Sequence, residues 1–201
     1  MRRSRFKNLL WAGWLVSLGL SACSGMPRIV ILHDPLSPEE HVTLAGRYEV
    51  QGLAEQAAEE YRAALSKRSD DVPALVGLGN VSYQQAKMKD AERYYRKALK
   101  YDPDHPMANN NLASVYLALD RNLEEAEQLA GRALAQDSPH KAYFWETLAG
   151  IHLRQGRLAE AEADLALADF LAPAGDRALK EKIAETNLEI TDERARNLRH
   201  D

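Results

Sequence analysis

A leucine followed by a small residue returns along the chain at Leu44-Ala45, Leu78-Gly79, Leu112-Ala113 and Leu148-Ala149, at intervals of 34, 34 and 36 residues. So regular an interval restricts the fold more than composition does. Each copy must take the same local structure and meet its neighbours in the same way. Two alanine series keep the step: Ala57, Ala91, Ala126, Ala161 and Ala64, Ala98, Ala133, Ala168, each spaced by 34, 35 and 35 residues. Tyr48, Tyr83 and Tyr116 fall in the first half of a copy, and Tyr61 and Tyr95 in the second. Gly52 and Gly156 mark turns inside copies, and Pro103 and Pro173 mark turns between them. Each copy reads as two helices. The alanines belong where the helices cross closely, since a larger side chain there would force them apart. The leucines and tyrosines fill the space between neighbours.

The segment 72–105, VPALVGLGNVSYQQAKMKDAERYYRKALKYDPDH, holds Leu78-Gly79, Ala91, Tyr95, Ala98 and an Asp102-Pro103 ending. It resembles the tetratricopeptide repeat, a helix–turn–helix unit that stacks into a solenoid. The resemblance covers about two-thirds of the chain. It implies an all-α, right-handed helical-hairpin solenoid of about four repeats, at 38–71, 72–105, 106–141 and 142–175. The third repeat carries an extra residue near LDRN (119–122) and one more before the fourth. No repeat buries its apolar face alone, so a cap is needed. Residues 176–201 supply one, a helix with Leu179, Ile183 and Ile190 as its apolar stripe. At the other end Ser37, Pro38 and Glu40 form the signature of a capped helix start.

The first residues have another character. Arg2, Arg3, Arg5 and Lys7 precede Leu9 to Leu20, LLWAGWLVSLGL, a run without charge. Twelve residues fall short of the roughly twenty that a membrane-spanning helix needs. They fit the core of a secretory signal peptide over 1–22. Leu20-Ser21-Ala22-Cys23 resembles the lipobox of bacterial lipoproteins at all four positions. The resemblance implies that Cys23, the only cysteine, is lipidated and that the leader is cut before it. Several acyl chains anchor stably where one holds only marginally. Ser24, in place of the aspartate associated with inner-membrane retention, implies the periplasmic face of the outer membrane. Residues 23–37 read as a linker. Within them RIVIL (28–32) reads as an apolar plug against the first helices, or as an extended strand.

Little in the sequence suggests catalysis. One cysteine excludes a disulfide framework. The histidines His33, His41, His105, His140, His152 and His200 form no metal-binding spacing, and no phosphate loop or nucleophile elbow is present. No cofactor is expected. Loss of the leader lowers Lys+Arg from 26 to 22 against 30 Asp+Glu, a side-chain balance of −8, which disfavours nucleic acid.

Binding remains. Tetratricopeptide solenoids hold protein or peptide partners in a concave groove lined by their first helices. Carried onto this chain, the groove positions are Pro73, Val76, Asn80, Tyr83 and Gln84; Met107, Asn110, Ser114, Leu117 and Ala118; and Tyr143, Glu146, Gly150, Leu153 and Arg154. Asn111 matches an asparagine of the clamp that grips acidic chaperone C-termini, as does Asn80. That clamp's basic positions hold Val76, Tyr143 and Thr147, so an acidic C-terminus is not the expected ligand. Asparagine donates and accepts at once, which suits a peptide backbone. Tyr83, Leu117 and Tyr143 offer apolar pockets. Two roles stay open: an adaptor of the cell envelope, similar in outline to small lipoproteins that pilot secretion or pilus components, and a structural accessory subunit of an envelope enzyme or export machine.

Overall fold

The computed structural model describes residues 34–199. The signal peptide, Cys23 and the RIVIL segment lie outside the described residues. The described residues form nine α-helices and no strand: α1 (Pro38–Val50), α2 (Ala54–Lys67), α3 (Val72–Gln84), α4 (Met88–Tyr101), α5 (Pro106–Ala118), α6 (Leu123–Ala135), α7 (Lys141–Arg154), α8 (Leu158–Leu171) and α9 (Arg177–Asn197). None of these is long and apolar enough to cross a membrane.

The helix starts are written locally. Ser37 Oγ accepts from the Glu40 amide at 3.2 Å, and the Ser37 amide donates to Glu40 Oε2 at 2.7 Å, which closes a capping box. Asp71, His105 and Asp176 cap α3, α5 and α9 through their side chains. The second helix of every hairpin, by contrast, starts with no side-chain cap. These helices are short, so packing rather than propensity holds them.

The periodic residues make that packing. Ala57, Ala91, Ala126 and Ala161 are fully buried, as are Ala64, Ala98, Ala133 and Ala168. Glycine lets an aromatic come closer still. A Cβ on Gly79 would stand 2.3 Å from the Tyr95 ring, and one on Gly77 would stand 2.1 Å from the Tyr61 ring. The turns of the first, second and fourth hairpins take three residues, whereas that of the third takes four, 119–122, with Asp120 and Asn122 both left-handed. The inserted residue is thus absorbed in the loop.

Successive helices pack in order along the chain. First helices also approach the next first helix, α1 to α3, α3 to α5, α5 to α7 and α7 to α9, whereas no two second helices approach. The first helices therefore line the inner face of the stack. Helix α9 occupies the next first-helix position and covers α7 and α8 with Leu179, Ile183 and Ile190, all buried. Polar ties join the third and fourth repeats. His152 is buried, with Nδ1 2.6 Å from Asp164 Oδ2 and Nε2 3.4 Å from Glu127 Oε1, and Arg157 reaches Glu127 at 2.8 Å. Burial raises the Asp164 carboxyl above its usual range.

Candidate functional site: the inner groove

Two adjoining depressions form the inner face. The first, of about 230 Å³, is lined by Asn80, Tyr83, Gln84, Tyr95, Asn110, Asn111, Ser114, Tyr143, Glu146, Thr147 and Lys182. The second shares Tyr83, Ser114 and Lys182 with it and adds Leu117, Ala118, Asp120 and Arg154. All nine groove residues singled out as partner-binding thus line one continuous surface. Five expected groove positions do not: Pro73, Val76, Met107, Gly150 and Leu153. Val76 is buried in the core and Met107 packs against the same cluster. Leu153 packs against the cluster around α9.

The asparagines are wired together. Asn80 Oδ1 accepts from Tyr95 Oη and from Asn111 Nδ2, each at 2.9 Å. Asn111 Oδ1 in turn accepts from Asn110 Nδ2 at 3.3 Å. Part of the hydrogen-bonding capacity of these asparagines is therefore spent within the groove wall. Asn80 Oδ1 already takes two hydrogen bonds, so the amide's further capacity is chiefly that of Nδ2, a donor. Asn110 is buried, and its Oδ1 has no hydrogen-bond partner. Burial also raises the Tyr95 hydroxyl, so it stays a neutral donor.

Farther along, Ser114 Oγ and Thr147 Oγ1 stand 3.3 Å apart across two repeats. Tyr143 donates to Asp176, the cap of α9, and this bond holds the tyrosine hydroxyl above its ordinary range and the carboxyl below its own. Arg154 faces Glu189 at 3.8 Å with both side chains about half exposed, a pair worth little in stability.

The capping helix contributes two side chains that motif reasoning did not assign. Lys182 Nζ stands 2.5 Å from Glu146 Oε2, and Thr186 Oγ1 donates to Glu146 Oε1 at 3.4 Å. The signal was present in the period: Leu148 to Ile183 is 35 residues, one more step of the leucine series, which makes α9 a first helix with an inner face. Tyr95 was legible only as a packing residue, because its hydroxyl reaches the groove from a second helix. No group of three or more His, Cys, Asp or Glu side chains among the described residues is arranged to hold a metal ion.

Comparison with known proteins agrees with this architecture. The tetratricopeptide repeat profile matches residues 76–130 and 120–176, together just over half of the chain. Protein O-mannosyl-transferase TMTC1 of Mus musculus is 33% identical over 78 residues, 39% of this chain and 8% of that protein. The chain spans about a tenth of the length of the curated relatives it matches. Among solved structures, PilF of Pseudomonas aeruginosa superposes with a TM-score of 0.65 at 22% identity, over 78% of this chain and 72% of that one. PilW, described as a widely conserved type IV pilus biogenesis factor, gives a TM-score of 0.61 at 21% identity, over 65% and 60%. At these identities the two structures speak to fold alone. The periodic core, the stacked hairpins and the profile match agree: the chain belongs to the tetratricopeptide repeat family.

Proposed function

We propose that this protein is a lipid-anchored adaptor of the bacterial cell envelope, which holds an extended segment of another envelope protein in the groove between α3 and α9. The observation that carries the reading is the continuous inner surface, where amides and hydroxyls are fixed in place before a ligand arrives. Preorganised polar groups bind a peptide backbone at lower entropic cost than mobile ones. The anchor is Cys23, read from the lipobox resemblance, and Ser24 directs it to the outer membrane. The fold shared with PilF and PilW supports a place beside pilus or secretion assembly. The role is binding rather than catalysis.

A structural accessory subunit is the second reading, and one feature favours it. Leu167, Phe170 and Leu171 lie exposed at helical spacing on α8, with Phe170 84% exposed. Such a face suits a permanent neighbour.

One experiment separates the two. Pull-downs from envelope extract compare wild type, Asn80→Ala/Asn111→Ala/Arg154→Ala and Phe170→Ser, each checked for folding by circular dichroism. An adaptor loses its partner in the groove variant, by roughly the 1–3 kcal/mol that a buried polar contact is worth. A subunit co-purifies stoichiometrically and responds to Phe170→Ser instead. For the anchor, Cys23→Ser abolishes palmitate labelling in a bacterial host; a wild-type chain that takes up no label removes the membrane part of the reading.

A further inference from the structure

Glu146 is a buried carboxylate in the groove wall, its side chain 3% exposed. An ionised carboxylate offers about four acceptor positions. Here two groups reach it, Lys182 and Thr186, and both come from α9 rather than from the repeats that build the groove. Lys182 is half in water, its side chain 53% exposed. Beside it Asn110, 5% exposed, carries the Oδ1 that no donor meets. An acceptor buried in this way is costly unless something satisfies it. The pocket thus holds surplus acceptors: a carboxylate used below capacity, an orphan amide oxygen, and the Thr147 hydroxyl.

What this pocket lacks is a cation with several donors. We propose that the Glu146 pocket receives a basic side chain, arginine above all, from the partner's extended segment, and that Lys182 holds this place in the free protein. The inference rests on the groove reading above and names the chemistry of its occupant. A lysine ammonium is a compact charge on a flexible stem, whereas a guanidinium is a planar fork that spans both oxygens of a carboxylate. Exchange of one for the other keeps Glu146 paired throughout, so no buried charge is stranded. The displaced Lys182 head, already half solvated, returns to water at little cost. The acidic balance of the chain, −4 overall, favours approach of a basic segment.

A capped fluorescent peptide in which arginine alternates with serine and leucine tests this, against the same peptide with citrulline, the uncharged isostere of arginine. Fluorescence anisotropy is read with the full-length chain as wild type, Lys182→Met, Glu146→Gln and Asn80→Ala/Asn111→Ala. The expected result is that wild type binds the arginine peptide about tenfold tighter than the citrulline peptide. Lys182→Met tightens the arginine peptide by about a further tenfold with no change for citrulline, and Glu146→Gln removes the difference between the two. If Lys182 only ties α9 to α7, the two peptides bind alike to wild type and to Lys182→Met, which overturns the proposal. In that case weaker binding by Asn80→Ala/Asn111→Ala leaves the groove reading standing. Binding indifferent to the asparagine pair removes the groove reading as well. Should Glu146→Gln fail to fold by circular dichroism, the wild-type and Lys182→Met comparison decides alone. No binding of either peptide to Lys182→Met also overturns the proposal.

Discussion

At the scale of single residues, the turns inside the hairpins show how the repeat distributes strain. The middle residue of the three-residue turn is left-handed in the first, second and fourth hairpins. It is Gly52 at φ 74° and Gly156 at φ 74°, but Ala86 at φ 55°. Glycine occupies that region freely, whereas an L side chain there costs about 1–2 kcal/mol. Ala86→Gly is therefore expected to stabilise the fold. The gain is smaller than the strain, about 0.5–1 kcal/mol, because glycine also loosens the unfolded chain. Gly156→Ala is expected to lose a similar amount. Chemical denaturation of the two variants reads both signs, and an Ala86→Gly chain no more stable than wild type removes the strain argument. The two glycines were legible in the sequence because glycine announces a turn. Ala86 was not, because alanine announces helix, and only the 34-residue step from Gly52 to Ala86 gives its place away.

At the scale of elements, the first helices α1, α3 and α5 and the capping helix α9 start with a side-chain cap, whereas α7 and the second helices do not. His105 is the unusual cap. Its Nδ1 accepts from the Ala108 amide at 3.2 Å, a role that only the neutral ring can fill. Burial lowers its pKa from the ordinary 6.5. The unfolded chain then takes up the proton first as pH falls. The stability that His105 contributes is complete above about pH 6.5 and declines below it, toward the folded pKa. His105→Asp replaces the ring with a carboxylate that suits the positive end of the α5 dipole. Melting temperatures of the two chains from pH 7.5 to 5.5 are expected to diverge, with wild type falling more steeply; parallel curves would acquit the cap. The helices themselves were plain in the sequence, since alanines at a fixed step cannot be spaced that way by accident. The side that each residue shows was less plain. Val76 and Asn80 are four residues apart on α3 and so share a face, yet one is core and the other groove wall, a difference that helix spacing does not announce.

At the scale of the whole molecule, the solenoid is a line of nearest neighbours, and damage should stay local. Helix α9 belongs to that line as a fifth first helix rather than as a separate tail. Its apolar stripe was readable from Leu179, Ile183 and Ile190. Its inner face was not, because Lys182 and Thr186 read as ordinary surface residues until α9 is set beside α7. Ile190 is fully buried against α7 and α8, so Ile190→Ala is expected to cost about 2–5 kcal/mol. That cost falls on α9 and its contacts with the fourth repeat. Leu112→Ala, at the centre of the stack, removes a similar volume but touches the core shared by α3 to α7. Hydrogen exchange distinguishes the two outcomes. In Ile190→Ala the amides of α9 lose protection first while those of α3 and α4 keep theirs, and the groove opens at its Glu146 end. In Leu112→Ala protection falls across the central repeats together. A uniform loss in both variants would mean that the hairpins unfold as one unit, and the groove could then not be altered at α9 without loss of the rest.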